Sequence, residues 1–277
     1  MARETTTTSP GLIQIWQEAF NEDLSYIHFF LKFGLPLGTS LTIGPSNHPY
    51  AALTLFPISL RLAGVSYSGY YLYALGTLLL ERNKGYATKL VQKAASFALE
   101  TGLSFILLQP THHALFAYYA KLGYHTPVYR SYVKFSRTNL LFNNNLDPFF
   151  QCLSHLAVPC ETIHLQNRFE WSLPMREYMQ KECLFRGGVV IHGSFCYPNS
   201  DVDGHFIEVK EFPMNALPSL VSTLLSTFPH HERFIFYGKP NQTELQVKQE
   251  PFALVHFLDP QLSEQYNPHC YFGLGLD

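Results

Sequence analysis

The run from Tyr70 to Tyr124 constrains this chain more than any other part of it. It begins with an apolar stretch, Tyr70–Leu80, that reads as a buried strand, and a short basic loop follows at Glu81–Gly85. Next come Ala87, Leu90, Val91, Ala94, Ala95 and Ala98, which fall on one face of a 3.6-residue period and predict an amphipathic helix. Gly102 stands where such a helix turns left-handed and stops. Ser104–Leu108 predicts a second strand, Pro110 breaks it, Thr111 caps a further helix and Gly123 closes that helix. Strand, loop, helix and strand in that order make a crossover unit with a parallel strand pair.

The loop carries the chemistry. Arg82-Asn83-Lys84-Gly85-Tyr86-Ala87 leads straight into a helix N-terminus. The first helical N–H groups have no partner within the helix, and the helix dipole favours an anion there. Gly85 lets a ligand approach the backbone without a Cβ in the way. Arg82, Lys84 and Lys89 add positive charge, so a phosphate or pyrophosphate is the expected occupant. Neither G-x-G-x-x-G nor the P-loop pattern is present, which weakens readings built on NAD or ATP.

Arg82-x-x-Gly85-x-Ala87 resembles the [QR]-x-x-G-x-[GA] acetyl-CoA pyrophosphate loop of the GNAT superfamily of N-acetyltransferases. Thr77 sits where many members end the preceding strand in V-x-T, and Tyr119-Ala120-Lys121-Leu122-Gly123-Tyr124 resembles their Y-x-x-x-G-[FY] ending. The resemblance covers Leu12–Tyr129 and implies an α+β fold with a mixed, mostly antiparallel sheet flanked by helices. It also implies acetyl-CoA as a bound substrate and a primary amine, small molecule or peptide, as acceptor. The amine would attack directly in a ternary complex. The other reading is a silent acyl-CoA-binding module with a regulatory or structural role.

What the resemblance implies for residues is specific. The loop residues Arg82, Asn83, Lys84, Gly85, Tyr86 and Ala87 would cradle the pyrophosphate, mostly through backbone N–H groups. Leu75, Gly76 and Thr77 would meet pantetheine as an added strand, with a backbone N–H near Leu75 polarising the acetyl carbonyl. Tyr119 would protonate the departing thiolate, while Tyr118 points about 100° away on the same helix. The general base is the gap, because Tyr50–Leu80 holds no Asp or Glu. His112, His113, His125 and a water chain are candidates. So is Asp277, because the chain resembles the enhanced-intracellular-survival type, in which a terminal carboxylate serves as base.

Composition narrows the rest. Hydrophobic residues at 47% suffice for a sizeable core, and a formal charge of −2 gives no reason to invoke nucleic acid or an anionic membrane. No window approaches the ~18 apolar residues of a membrane span, and MARETTTTSPG lacks a signal-peptide core, which favours the cytoplasm and a disordered N-terminal tail. The five Cys, all beyond residue 150, contain no C-x-x-C. They suit free buried thiols and argue against an acyl-cysteine intermediate. No spacing of His and Cys suggests a metal site. Self-association is left open.

Along the chain, Leu12–Phe20 and Leu24–Phe33 predict helices, and Ser40–Ile43, Tyr50–Leu60 and Val65–Leu80 predict strands. The additional first strand of the family finds no counterpart. Ser136–Pro148 reads as a connector between a GNAT domain at 10–135 and a degenerate GNAT-like domain at 150–277. In the second, Leu173–Leu184 and Asn215–Phe228 predict helices, and Gly188–Tyr197, His205–Phe212, Arg233–Tyr237, Phe252–Leu258 and Tyr271–Leu276 predict strands. No pyrophosphate loop lies between Glu208 and Leu220.

Overall fold

The structure is a computed structural model and describes residues 10–141, 153, 156–157, 167–239, 247–268 and 270–276. Two short helices open it, α1 (Pro10–Phe20) and α2 (Leu24–Phe29). Asp23 caps α2 by accepting the Tyr26 N–H at 2.8 Å. The predicted helix over Leu24–Phe33 loosens after Phe29 into a wider π turn, Phe30–Gly34, and a 3₁₀ turn, Leu35–Leu37. Strands β1 (Thr39–Ile43), β2 (Ala51–Leu62) and β3 (Val65–Thr77) follow as an antiparallel meander. Helix α3 (Tyr86–Glu100) crosses over to β4 (Phe105–Leu108), which lies parallel to β3. Helix α4 (His113–Ala120), β5 (Thr126–Ser136) and α5 (Arg137–Leu141) complete this part.

The second half begins with β6 (Arg168–Trp171) and α6 (Leu173–Phe185). Strands β7 (Val189–Ile191), β8 (Ser194–Asp201) and β9 (Gly204–Lys210) form a second meander. Helix α7 (Leu217–Thr227) then crosses over to β10 (Arg233–Gly238), parallel to β9. Strand β11 (Lys248–Phe257) and α8 (Pro260–Gln265) precede an extended tail. The tandem repeat of meander plus crossover is therefore present in the backbone.

One sheet runs through both halves in the order β1-β2-β3-β4-β11-β5-β10-β9-β8-β7, with β6 paired to β2. β2 is long, roughly 40 Å from its residue count, so β1 and β6 share its outer edge at opposite ends. β11 comes from late in the chain yet sits between β4 and β5. The halves thus share strands as well as an interface. The apolar side chains between them include Trp16, Phe56, Tyr71, Trp171, Tyr178 and Phe272 in one buried cluster.

Several expectations need correction. β5 and β6 are strands that the sequence pattern does not predict. Gly188–Tyr197 is two strands, broken at His192 and Gly193, both at positive φ. The strand expected over Val65–Leu80 ends at Thr77, and Leu79–Glu81 is a 3₁₀ turn. His112, not Thr111, is the N-cap of α4. Tyr271–Leu276 is not a strand, because only Tyr271 makes a bridge, to Arg168. Its carbonyls find side chains instead: Trp171 Nε1 donates to Leu274 O at 2.7 Å and the Tyr71 hydroxyl to Leu276 O at 3.3 Å. The N-terminal tail, Cys152, Cys160 and Asp277 fall outside the described residues.

Candidate active site

The site begins with a fault in β3. Between Ala52–Gly76 and Thr54–Tyr73 the β2–β3 register gains a residue on β3, and Ala74 takes φ +53°. A left-handed non-glycine residue is strained, and the bulge re-aims the strand. The β3–β4 ladder ends just there, at Leu72–Leu108. Tyr73–Thr77 run on without β4 beside them, so Leu75, Gly76 and Thr77 lie where the strands part. α1 packs hard on this segment: a Cβ at Gly76 would lie 2.6 Å from Ile15 Cγ2.

Beyond Thr77 the chain makes the basic loop. α1 holds it from behind. Glu18 Oε2 accepts the Leu79 N–H at 2.7 Å and Glu18 Oε1 accepts Gln14 Nε2 at 2.7 Å. These bonds, the Leu79 one foremost, lower the Glu18 carboxyl below its ordinary value. Arg82 Nη2 donates to Glu18 O at 3.2 Å and its Nε to Thr77 O at 3.4 Å. Arg82 therefore ties loop to helix as well as adding charge. Lys84 is bonded to Glu81 at 2.9 Å. Asn83 at φ +62° and Gly85 at φ +80° turn the backbone into α3, whose N-cap, Gly85, offers no side-chain acceptor. Left-handed residues alternating with others at a helix start leave backbone N–H groups available to an anion. A Cβ at Gly85 would meet no atom within 4 Å, so the positive φ, not crowding, is what calls for glycine. Tyr86 stacks on Tyr50 with ring centroids 5.5 Å apart.

A cavity of about 360 Å³ opens at the fault, lined by Tyr71–Leu75, Leu108, His112, Tyr119 and Leu276 among others. Tyr119 reaches it from α4 and is 8% exposed. Burial first, and Tyr118 second, push its phenol well above the ordinary value, so it holds its proton. Tyr118 is turned to α3, with its hydroxyl 3.2 Å from Thr88 Oγ1. Of the histidines considered for the site, His112 lines the cavity, while His113 and His125 are exposed. Cys183, Cys196 and Cys270 are buried away from it, and burial pushes the first two thiols up to about 11 and about 12. Among the described residues no group of His, Cys, Asp or Glu could hold a metal ion.

Two cavity residues escaped the sequence reading. Glu22, between the two first helices, lines the wall and accepts Arg186 Nη2 at 2.8 Å. Tyr73, read as plain strand, faces the cavity beside the bulge. No local signal marks either, because Glu22 and its arginine are 164 positions apart. A larger cavity, about 430 Å³, lies farther along the tail beside Arg168, Trp171, Glu211 and Tyr271. Contacts of Tyr71 with Trp171 and Phe272, at 5.2 and 5.9 Å, stand between the two.

Residues 3–126, which hold the opened strand edge, the glycine-headed helix and the buried tyrosine, match the family model of the acetyltransferase (GNAT) domain. The chain carries a GNAT domain. No curated protein matches it in sequence at a significant level. Among solved structures it is similar to a GCN5-related N-acetyltransferase from Kribbella flavida, with a TM-score of 0.63 and 13% identity over 92% of this chain and 70% of that one. A probable N-acyltransferase from Enterococcus faecalis V583 gives 0.64 and 11% over 94% and 72%. Eis1 from Mycobacterium abscessus gives 0.59 and 13% over 91% and 71%. At such identity the similarity is one of fold, and it extends over both halves. GNAT domains transfer acyl groups, with acetyl-CoA as donor. No helix among the described residues is long and apolar enough to cross a membrane.

Proposed function

We propose that the protein is an N-acetyltransferase that moves the acetyl group of acetyl-CoA to a primary amine by direct attack in a ternary complex. The observation that carries this reading is the pairing of the Leu72–Leu108 fork with the Gly85-headed helix α3 at one end of the same strand. Pyrophosphate binds the N–H groups of the Arg82–Ala87 loop. Pantetheine lies along Leu75–Thr77 and hydrogen-bonds the backbone as a strand would. A backbone N–H by Leu75 donates to the acetyl oxygen and stabilises the oxyanion as the amine attacks.

Tyr119 gives its proton to the leaving thiolate. A phenol raised by burial is always protonated at working pH, which is the form an acid needs. The thiolate is desolvated in the same cavity, so its own affinity for the proton rises too. Asp277, which lies outside the described residues, enters the reading only as the base that the family resemblance implies. The acceptor is a small molecule or a peptide. The test is consumption of acetyl-CoA with a panel of primary amines, read as free thiol and by mass of the acetylated product. Binding of acetyl-CoA with no acetylated amine would favour a silent acyl-CoA-binding module.

A further inference from the structure

A line of hydroxyls leaves the acyl cavity and ends on a buried carboxylate from the other half of the chain. The Tyr73 hydroxyl lies 3.4 Å from that of Tyr26, and Tyr26 donates to Glu182 Oε1 at 3.5 Å. Glu182 stands on α6, is 7% exposed, and is the one buried carboxylate among the described residues. Burying a carboxylate is costly, and its partner does not cancel it outright. Arg186 Nε donates to Glu182 Oε1 at 2.7 Å, while its Nη2 serves Glu22 at 2.8 Å. Two carboxylates share one guanidinium, which also lies 3.7 Å over the Tyr26 ring. On its far side Glu182 accepts the Tyr197 hydroxyl at 3.4 Å, and both line a second cavity of about 150 Å³. The other groups facing it are Tyr178 on its own helix and Glu208 with Lys210 on β9.

We propose that Tyr73 takes the proton of the acceptor amine and that Tyr26 and Glu182 carry it away. This rests on the acetyl-transfer reading above and supplies, from α6, the carboxylate that Tyr50–Leu80 lacks. The ammonium N–H bond breaks as its proton passes to the Tyr73 oxygen, and the electron pair stays on nitrogen. The Tyr73 proton moves to the Tyr26 oxygen, and the Tyr26 proton to Glu182 Oε1. Both hydroxyls are regenerated, Glu182 becomes a neutral acid, and it releases the proton toward the second cavity. The neutral amine then attacks the thioester. Desolvation raises both phenols, so they pass protons on as neutral hydroxyls and are not themselves left charged. Bonds of 3.4–3.5 Å are long without substrate and shorten once it is bound. Tyr73 is the catalytic residue of this relay. Tyr26 and Glu182 act through it.

Wild type, Tyr73→Phe, Tyr26→Phe and Glu182→Gln are compared for acetyl-CoA affinity by calorimetry, for thermal midpoint, and for acetyl transfer to the best acceptor of a primary alkylamine panel across roughly pH 6 to 10. The expected result is affinity within about twofold of wild type and a rate at neutral pH lower by about tenfold or more in each variant. The deficit shrinks as pH approaches the pKa of the amine, because water then deprotonates it. A deficit that is independent of pH, or that tracks the thermal midpoint, makes the cluster structural and overturns the relay. Full rate in Tyr26→Phe and Glu182→Gln overturns it as well. So does an Asp277→Asn variant showing the pH-dependent deficit that Glu182→Gln lacks; a wild type that binds acetyl-CoA and acetylates no amine overturns the acetyl-transfer reading, and the relay with it. A wild type that does not bind acetyl-CoA overturns the acetyl-transfer reading itself, and calorimetry separates that outcome from the rest.

Discussion

The two crossover units of this chain, β3–α3–β4 and β9–α7–β10, share one architecture and differ at one end. In both, a helix returns the chain to a parallel neighbour. β9 stays paired with β10 up to its last residue, Lys210, opposite Tyr237. β3 outruns β4, and the strands part after Leu72. α3 starts at Gly85 with φ +80°, whereas α7 starts behind Pro213 and a 3₁₀ turn, with Ala216 at φ −103° and Pro218 in its first turn. The crossover makes the fold, and the opened edge with its glycine is what the proposed acyl-CoA site adds to it. In the second half the described residues offer side chains to the first, Glu182 and Arg186 above all, and not a second cradle.

The sharpest way to break this comparison is to fill one cradle and its counterpart. Gly85→Glu places a bulky anion on a left-handed residue at the proposed pyrophosphate cradle, and should lower acetyl-CoA affinity by more than about 100-fold by calorimetry. Ala216→Glu, at the N-cap of α7 as Gly85 is at that of α3, should leave it unchanged. Equal effects would mean that both units bind. Next in size is Tyr119→Phe, which should leave acetyl-CoA affinity intact and lower kcat about 10²-fold or more, the contribution typical of a positioned acid. A matching rise in KM with unchanged kcat would make Tyr119 a binding residue only.

The first unit was legible in the sequence because its signals are local. Periodic apolar residues gave α3, and Gly85 and Tyr119 stood at motif positions a few residues from the elements they serve. What escaped is held by distant partners. β5 lies between β10 and β11, so nothing near Thr126–Ser136 identifies its neighbours. The tail at 271–276 has a strand's apolar content, yet indole and phenol donors take its carbonyls, and a Cβ at Gly275 would collide with Gln109. The carboxylate missing from the central strands arrives from α6, through a tyrosine 156 positions away.

A smaller effect tests how the first unit holds its loop. Glu18→Ala removes the acceptor of the Leu79 N–H and should weaken acetyl-CoA binding about fivefold, from ~1 kcal/mol for one exposed charge-assisted bond. The same carboxylate gives the loop an acid limb. Its folded pKa is lowered, so its stabilisation is complete above its unfolded value and is lost as pH falls through the folded one. Acetyl-CoA affinity of wild type should therefore fall toward acid pH, and the Glu18→Ala variant should lose the part of that fall due to Glu18. Parallel profiles would place the acid sensitivity elsewhere.

The smallest effect bears on the fault itself. Ala74 holds φ +53°, a conformation that costs an L-residue about 1–2 kcal/mol and a glycine almost nothing. Ala74→Gly should recover part of that, less the added freedom of glycine in the unfolded chain, for a net gain of about 0.5 kcal/mol and a thermal midpoint higher by about 1–2 °C. Because the backbone path is kept, acetyl-CoA affinity should not change. Ala74→Pro bears on the same point from the other side, since a proline fixes φ near −65° and cannot follow the bulge. The fork would then close toward the pairing seen between β9 and β10, and acetyl-CoA binding should go with it. If Ala74→Pro binds normally, the bulge is incidental, and the contrast between the two units rests on Gly85 alone.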